Sequence, residues 1–366
     1  MSAVQEQTVN ENKRETLFLS LITQTNGTTT INDELINKIH IEEYEANDSR
    51  HLIHLIIIII VCLLMFTLTI IGNLIVILAI SLVQKLKTTS NILIFNLAVN
   101  DLVVGLFIMP VALILEISNE WILGSVMCDL WTSIDVLLCI SSVLITLIIV
   151  IHRYCIIKYP FKYTSMHKIK FLIFMMASVW IVSALFSLPP ILGWGRPSDS
   201  LPICQVNPKL ADQIFSILVG FYTPTIAMLI IYVKTYRIVV NRRSSFQMSP
   251  FLTHNTTSAN VEQASRNEQA VRILGVMVGL LIICWSPFML YAIIKPLHEH
   301  ITGLTGTPKS LNAPAWIDSV LLWFTYSLSM LHPLIYIKFD RDFRTSFHEI
   351  ICCRLKGLNE KIQQQE

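Results

Sequence analysis

The chain has 366 residues, 53% of them hydrophobic and only 14% charged, with a formal net charge of +2. A water-soluble chain carries about a quarter charged residues, so this composition excludes an ordinary soluble enzyme and points to a membrane, not to nucleic acid, as the partner. The charge is uneven: residues 1–50 are polar and locally acidic at Glu42, Glu43, Glu45 and Asp48, whereas basic residues collect in short segments further on.

Residues 1–50 read as an extracellular amino-terminal tail. Its best apolar run, 17–22, is shorter than a signal core of about 7–15 residues and lacks a small-residue cleavage site after it, so the first span is expected to act as the insertion signal. Apolar stretches follow at roughly 53–80, 90–115, 127–151, 169–192, 213–236, 270–294 and 314–337. Each is long enough to cross ~30 Å of hydrocarbon as a helix. The expected fold is therefore all-α: an integral membrane bundle of seven transmembrane helices over residues 51–338.

Lys85, Lys87, Lys158, Lys162, Lys168, Lys170, Lys234, Arg237, Arg242, Arg243, Arg266 and Arg272 lie in one set of connections, against Arg196, Lys209, Lys295 and Lys309 in the other. Cytoplasmic loops carry the basic excess, which puts the amino terminus outside a multi-pass plasma-membrane protein. The sequons at Asn26 and Asn47 then lie where glycosylation takes place. The third inner loop, about 237–269 and rich in Ser, Asn and Thr, reads as the one long flexible connection. Residues 339–366 open with Phe339, Phe343, Phe347, Ile350 and Ile351 at helical spacing opposite charge, a short amphipathic helix at the membrane surface. Cys352 and Cys353 follow it as palmitoylation candidates.

Cys62, Cys139 and Cys284 fall inside spans and Cys155 on the inner side, which leaves Cys128 and Cys204 at the oxidising face. Those two are expected to pair. On the third helix Asp135, Cys139, Ser142, Thr146 and Arg153 recur at spacings that share one face. Asp135 lies seven residues, about 10 Å, below Cys128. An ionised carboxylate at that depth costs several kcal/mol unless it meets a cation, and no basic residue is near it in sequence. It either receives a cationic visitor or is neutralised by protonation or another helix. Asp101, midway along the second span, makes the same demand, and a hydrated cation or a polar network would meet it.

Gly72-Asn73, Asn96-Leu97-Ala98 with Asp101, Trp121 and Gly124 before Cys128, Arg153-Tyr154, Trp180, Pro224 with Tyr232, Cys284-Trp285-Ser286-Pro287-Phe288, and Pro333 with Tyr336 appear in order along the chain. This set resembles the signature of rhodopsin-class G-protein-coupled receptors over about residues 50–350. Within that class, Asp135 four residues before Cys139, with Trp285, Phe288, Trp323 and Tyr326, is similar to the pocket of biogenic-amine receptors. The resemblance implies an amine ligand held by Asp135, a heterotrimeric G protein as partner, membrane lipid around the bundle, and no cofactor. Tyr326 would hold the carboxylate, and Trp285, Phe288 and Trp323 would surround the cation with aromatic faces. Ser216 matches a position that bonds a ring hydroxyl, while Ile217 and Gly220 occupy positions that add further hydroxyls in catecholamine receptors. One hydroxyl favours serotonin, tyramine or octopamine over dopamine and histamine; Met289 replaces an aromatic common in the family. For Ser216, bonding to its own helix backbone is the equal alternative.

The switching positions depart from the family. His152 stands where an acid precedes Arg153, and Asn267 where a second acid is expected, which suggests raised basal activity and a pH dependence through His152. His332 replaces an Asn before Pro333, and Leu328 an amide near the family's sodium site. His332 is expected to reach Asp101, leaving Asp101, Ser142 and Ser329 as a weak sodium site or none. By the same resemblance, ligand contact at Trp285 would move the sixth helix about Pro287 and open a cavity beside Arg153, Tyr154, Tyr232 and Tyr336.

The sequence contains no HExxH, GxSxG, P-loop or Cys-His zinc pattern, so no catalytic residue or metal site is expected; His298-Glu299-His300 reads as a solvated loop. The alternatives are a non-amine or constitutively active receptor of the same class, or a helical-bundle transporter. Transporters usually carry internal repeats and broken mid-membrane helices, and neither is evident.

Overall fold

The computed structural model describes residues 29–118, 120–159, 169–191, 204, 210–247, 258–304 and 316–352. We label the helices α1 (Thr29–Leu82), α2 (Thr89–Ser118), α3 (Gly124–Lys158), α4 (Ile169–Ile191), α5 (residues 210–247), α6 (Ser258–Leu304), α7 (Trp316–Phe339) and α8 (Arg341–Ile351). No strand occurs among the described residues. Six of these helices are long and apolar enough to span a membrane, and α4, with a shorter apolar stretch at Leu172–Leu188, completes a seven-helix bundle. α3 packs on α2, α4, α5 and α6, whereas α7 packs on α1, α2 and α6.

The side chains are distributed as a lipid solvent requires. Large apolar residues such as Leu64, Phe107, Phe174, Leu185 and Ile283 face outward, while Asn73, Asn100, Asp101, Ser141 and His332 are buried between helices. Facing lipid, an apolar side chain loses nothing, but a polar one has no partner.

Two helices contain a wide turn, Val104–Ile108 in α2 and Leu218–Tyr222 in α5. Each lies just before or around the carbonyl that Pro110 or Pro224 cannot reach, because proline has no N–H to donate four residues back. Trp131 Nε1 donates to the Ile108 carbonyl at 3.3 Å, tying α3 to α2, and Thr223 Oγ1 donates to the Leu218 carbonyl at 2.9 Å.

The long flexible loop expected over 237–269 is largely helical: α5 runs on to Gln247 and α6 begins at Ser258. The stretch 262–270 holds Glu262, Gln263, Ala264, Arg266, Glu268, Gln269 and Ala270, all good helix formers; residues 248–257 lie outside the described residues. The helix of the first span likewise begins at Thr29, inside the region read as a tail.

At the α8 end, Asp340 caps α8 by accepting from the N–H groups of Asp342 and Phe343 at 3.0 and 3.2 Å. Phe343 and Phe347 are buried against the bundle, and Lys85 pairs with Asp342 at 3.3 Å. This confirms the amphipathic helix read from 339 onward.

α1 and α7 approach at Gly72, where an added Cβ would stand 2.9 Å from Pro333 Cγ. Gly72→Ala is expected to lower stability by about 1–3 kcal/mol, the usual cost of overpacking a filled site. A lower melting temperature in detergent checks this; an unchanged one would show that the two helices separate freely.

Candidate functional site

The α3 face predicted from spacing lies in the bundle interior. Asp135 points into a cavity lined by Leu138, Cys139 and Ser142 of α3, Asn100 and Val104 of α2, Trp285 of α6, and Thr325, Tyr326, Leu328 and Ser329 of α7. Tyr326 donates its hydroxyl to Asp135 Oδ1 at 3.3 Å, and the Cys139 thiol lies 3.7 Å from the same oxygen. No Lys, Arg or His among the described residues lines this cavity. The carboxylate therefore has two neutral donors and no cation, an arrangement that leaves most of its desolvation cost uncompensated.

Two lining residues, Trp285 and Tyr326, are aromatic, and each packs on a further ring outside the lining. Trp323 packs edge-on to Tyr326 with ring centres 5.9 Å apart, and Trp285 stacks on Phe221 at 6.0 Å. Phe288 and Met289 are half-buried on α6. Phe221 was not singled out in the sequence; its only signal is an aromatic three residues before Pro224, inside the wide turn whose register a 3.6-residue period misplaces. Ser216, by contrast, is exposed and does not line the cavity.

Cys128 and Cys204 form the expected disulfide, with a Cα–Cα distance of 5.6 Å. It sits at the end of α3 that begins at Gly124, whose φ of 78° is open to glycine without strain. Trp121 Nε1 donates to the Gly124 carbonyl at 2.7 Å, and the Trp121 and Trp131 rings lie 5.6 Å apart, fixing the approach to α3.

Toward the α8 end, Asp101 is fully buried. Ser329 donates to its Oδ1 at 2.8 Å, and His332 Nδ1 stands 2.7 Å from its Oδ2. An ionised carboxylate only accepts, so Nδ1 carries the hydrogen in that state. Ser142 lines the cavity above. The donor set does not fit a sodium ion well, because an imidazole fills one side of the acid and each oxygen already accepts a bond. Asn73 Nδ2 joins α1 to this region by donating to the Ser329 carbonyl at 3.0 Å. His332 Nε2 and the Tyr336 hydroxyl are buried with no partner among the described residues.

Further along α3, His152 is buried, with its Nδ1 3.4 Å from Ser90 Oγ. Arg153 is half-buried, and Tyr154 accepts from Lys158 Nζ at 2.8 Å. Tyr232 of α5 lies over the bare backbone of Gly275 on α6, where an added Cβ would meet its hydroxyl at 2.5 Å. Pro287 interrupts α6 and Pro333 interrupts α7, and Tyr336 stacks against Phe343 at 5.5 Å.

His298, Glu299 and His300 lie on α6, not in a loop. Consecutive helical residues point about 100° apart, and no group of His, Cys, Asp or Glu among the described residues could hold a metal. Cys352 is exposed at the end of α8. Asn47 falls in the leading turns of α1, while Asn26 and Cys353 lie outside the described residues.

Seven membrane-crossing helices around a half-buried acid, with a disulfide at one end and a surface helix at the other, define a polytopic membrane bundle with an acid-lined interior cavity. A sequence profile of the 7 transmembrane receptor (rhodopsin family) matches residues 72–336, and the chain belongs to that family. It is 28% identical to the 5-hydroxytryptamine receptor 7 of Xenopus laevis, over 80% of this chain and 76% of that receptor. It is 29% identical to the Histamine H2 receptors of Cavia porcellus and Homo sapiens, over 82% of this chain and 80% of each.

The Asp101–His332 contact has a direct consequence. His332→Ala would leave a buried carboxylate with half its partners, and is expected to cost about 3 kcal/mol or more. Asp101→Asn combined with His332→Asn, which pairs two neutral amides, should recover much of that loss in a detergent melting assay. Equal melting of the single variant and the wild type would show that the pair contributes nothing.

Proposed function

We propose that this chain is a plasma-membrane receptor for a small cationic amine, oriented with the disulfide end outside the cell, and that it passes binding to a heterotrimeric G protein. The observation that carries this reading is the Asp135 carboxylate in a cavity with Tyr326 at 3.3 Å and no basic side chain among the described residues of its lining. An ammonium group supplies the missing charge, and the rings of Trp285 and Tyr326 in the lining favour a cation with an aromatic body. The similarity to receptors named for 5-hydroxytryptamine and histamine supports an amine without selecting one. Ser216 is exposed on α5 and lies outside the cavity lining, so the preference for serotonin, tyramine or octopamine over dopamine and histamine rests on the sequence resemblance alone.

In this reading the ligand bridges Asp135 on α3 and Trp285 on α6. It favours the packing in which α6 swings about Pro287 and exposes the Arg153 end to the G protein, a population shift between two bundle arrangements. The Asp101–His332 pair does within the protein what a bound sodium ion would otherwise do, so agonist affinity should not change when sodium is exchanged for a bulky organic cation.

The test is a cyclic AMP and calcium panel in cells expressing wild type or Asp135→Asn, challenged with serotonin, tyramine, octopamine, dopamine and histamine. One amine is expected to act on the wild type with potency reduced about 100-fold or more in the variant, the weight of a buried charge pair. Silence of a surface-expressed wild type towards all five would contradict the amine reading.

A further inference from the structure

Beyond Trp285, α6 continues toward the disulfide end of the bundle, and Pro296 interrupts it there. Proline has no N–H, so the carbonyl of Ala292, four residues back, has lost its helical donor. Gln213 of α5 supplies a replacement, its Nε2 donating to the Ala292 carbonyl at 3.0 Å. Three residues on, Lys295 reaches the other way. Its Nζ donates to both carboxylate oxygens of Asp318, at 2.9 and 3.2 Å, and stands 5.5 Å from the centre of the Tyr291 ring. Asp318 lies in the first turn of α7, where the helix dipole favours a negative charge.

Both contacts sit above the Asp135 cavity. Ala292 is seven residues beyond Trp285, and Asp318 eight before Tyr326, about 10 and 12 Å along their helices. Cys128, held to Cys204, precedes Asp135 by the same seven residues on α3. Since α6 and α7 both line the cavity below, the Lys295–Asp318 pair bridges two of its walls on the outer side.

We infer that Gln213, Lys295 and Asp318 form a clasp that fastens the outer end of α6 to α5 and α7 and governs passage into the Asp135 cavity. Pro296 makes the clasp possible by leaving a carbonyl for α5 to hold. A molecule that enters between α6 and α7 breaks the ion pair, and widening of the α5–α6 side breaks the Gln213 bond. These three are positioning residues, since none of them lines the cavity. Passage of an amine through the clasp rests on the receptor reading above, whereas the clasp itself is tested with a probe that needs neither ligand nor G protein.

The Cys139 thiol lines the cavity and reports on access to it. The full chain in lipid nanodiscs is treated with hydroxyethyl methanethiosulfonate, a neutral reagent whose entry is not biased by charge changes at the mouth. Modification of Cys139 is followed by peptide mass spectrometry, with Cys139→Ser as the blank and Cys284, 1% exposed on α6, as the reference for general loosening. Gln213→Ala should speed Cys139 modification about fivefold, the weight of one hydrogen bond. Pro296→Ala should also speed it while raising the melting temperature, because it returns an N–H to the Ala292 carbonyl within the helix; a merely structural role predicts slower modification in a stabler protein. Asp318→Asn should give about a twofold gain at low salt, the weight of a partly exposed ion pair, and the reversed pair, Lys295→Asp with Asp318→Lys, should return the rate close to that of the wild type. A silent amine panel together with faster Cys139 modification would support the clasp and count against the receptor reading alone. Unchanged rates in Gln213→Ala and Asp318→Asn, or Cys284 accelerated as much as Cys139, would overturn the clasp.

Discussion

Two carboxylates lie inside the hydrocarbon-facing bundle, and the cost of keeping them there organises the rest. Asp101 is met by the protein: His332 and Ser329 bond its two oxygens at 2.7 and 2.8 Å. Among the described residues Asp135 is met by a phenol at 3.3 Å and a thiol at 3.7 Å, both on one oxygen. A charge inside a membrane with so little compensation is tolerated where function needs it. The difference between the two acids is the ground on which one is read as a structural pair and the other is proposed as a binding site.

Both acids are served by α7. Tyr326, Ser329, His332, Pro333 and Tyr336 recur along one stripe of that helix, at spacings that keep them on a single face. The stripe begins at Asp135, passes Asp101, packs Pro333 against Gly72, and ends at Phe339, whose carbonyl accepts from Gln269 Nε2 of α6 at 2.6 Å. A ligand that repositions Tyr326 acts on the same rigid element that meets the far end of α6. This is a physical connection between the two ends of the bundle, stated as geometry; its energetic coupling is a matter for double-mutant cycles.

Much of this was legible in the sequence, because in a membrane hydropathy and helical spacing carry nearly all the signal. The spans, the pairing of Cys128 with Cys204, the inward face of Asp135 and Cys139 and the amphipathic α8 could be read from residue type and position, whereas the partnership of Asp135 with Tyr326 came from the family resemblance. Helix length could not, since α5 and α6 continue past the apolar windows on propensity alone. The wide turns before Pro110 and Pro224 shift register by a residue, which hides the Phe221 stack on Trp285 and leaves Ser216 exposed. Gln269 carries no sequence signal at all: a neutral amide on a polar helix end acquires meaning only when it meets a carbonyl seventy residues away.

The central claim is that Asp135 holds an organic cation, and thermal protection of the purified receptor tests it without relying on any signalling pathway. Melting curves would be recorded for wild type and Asp135→Asn with saturating members of an amine panel. A ligand at about 1,000 times its Kd stabilises by ~4 kcal/mol, so an amine that raises the wild-type melting temperature by several degrees and leaves the variant unmoved is the predicted result. Equal protection of both proteins would place the amine elsewhere and contradict the account.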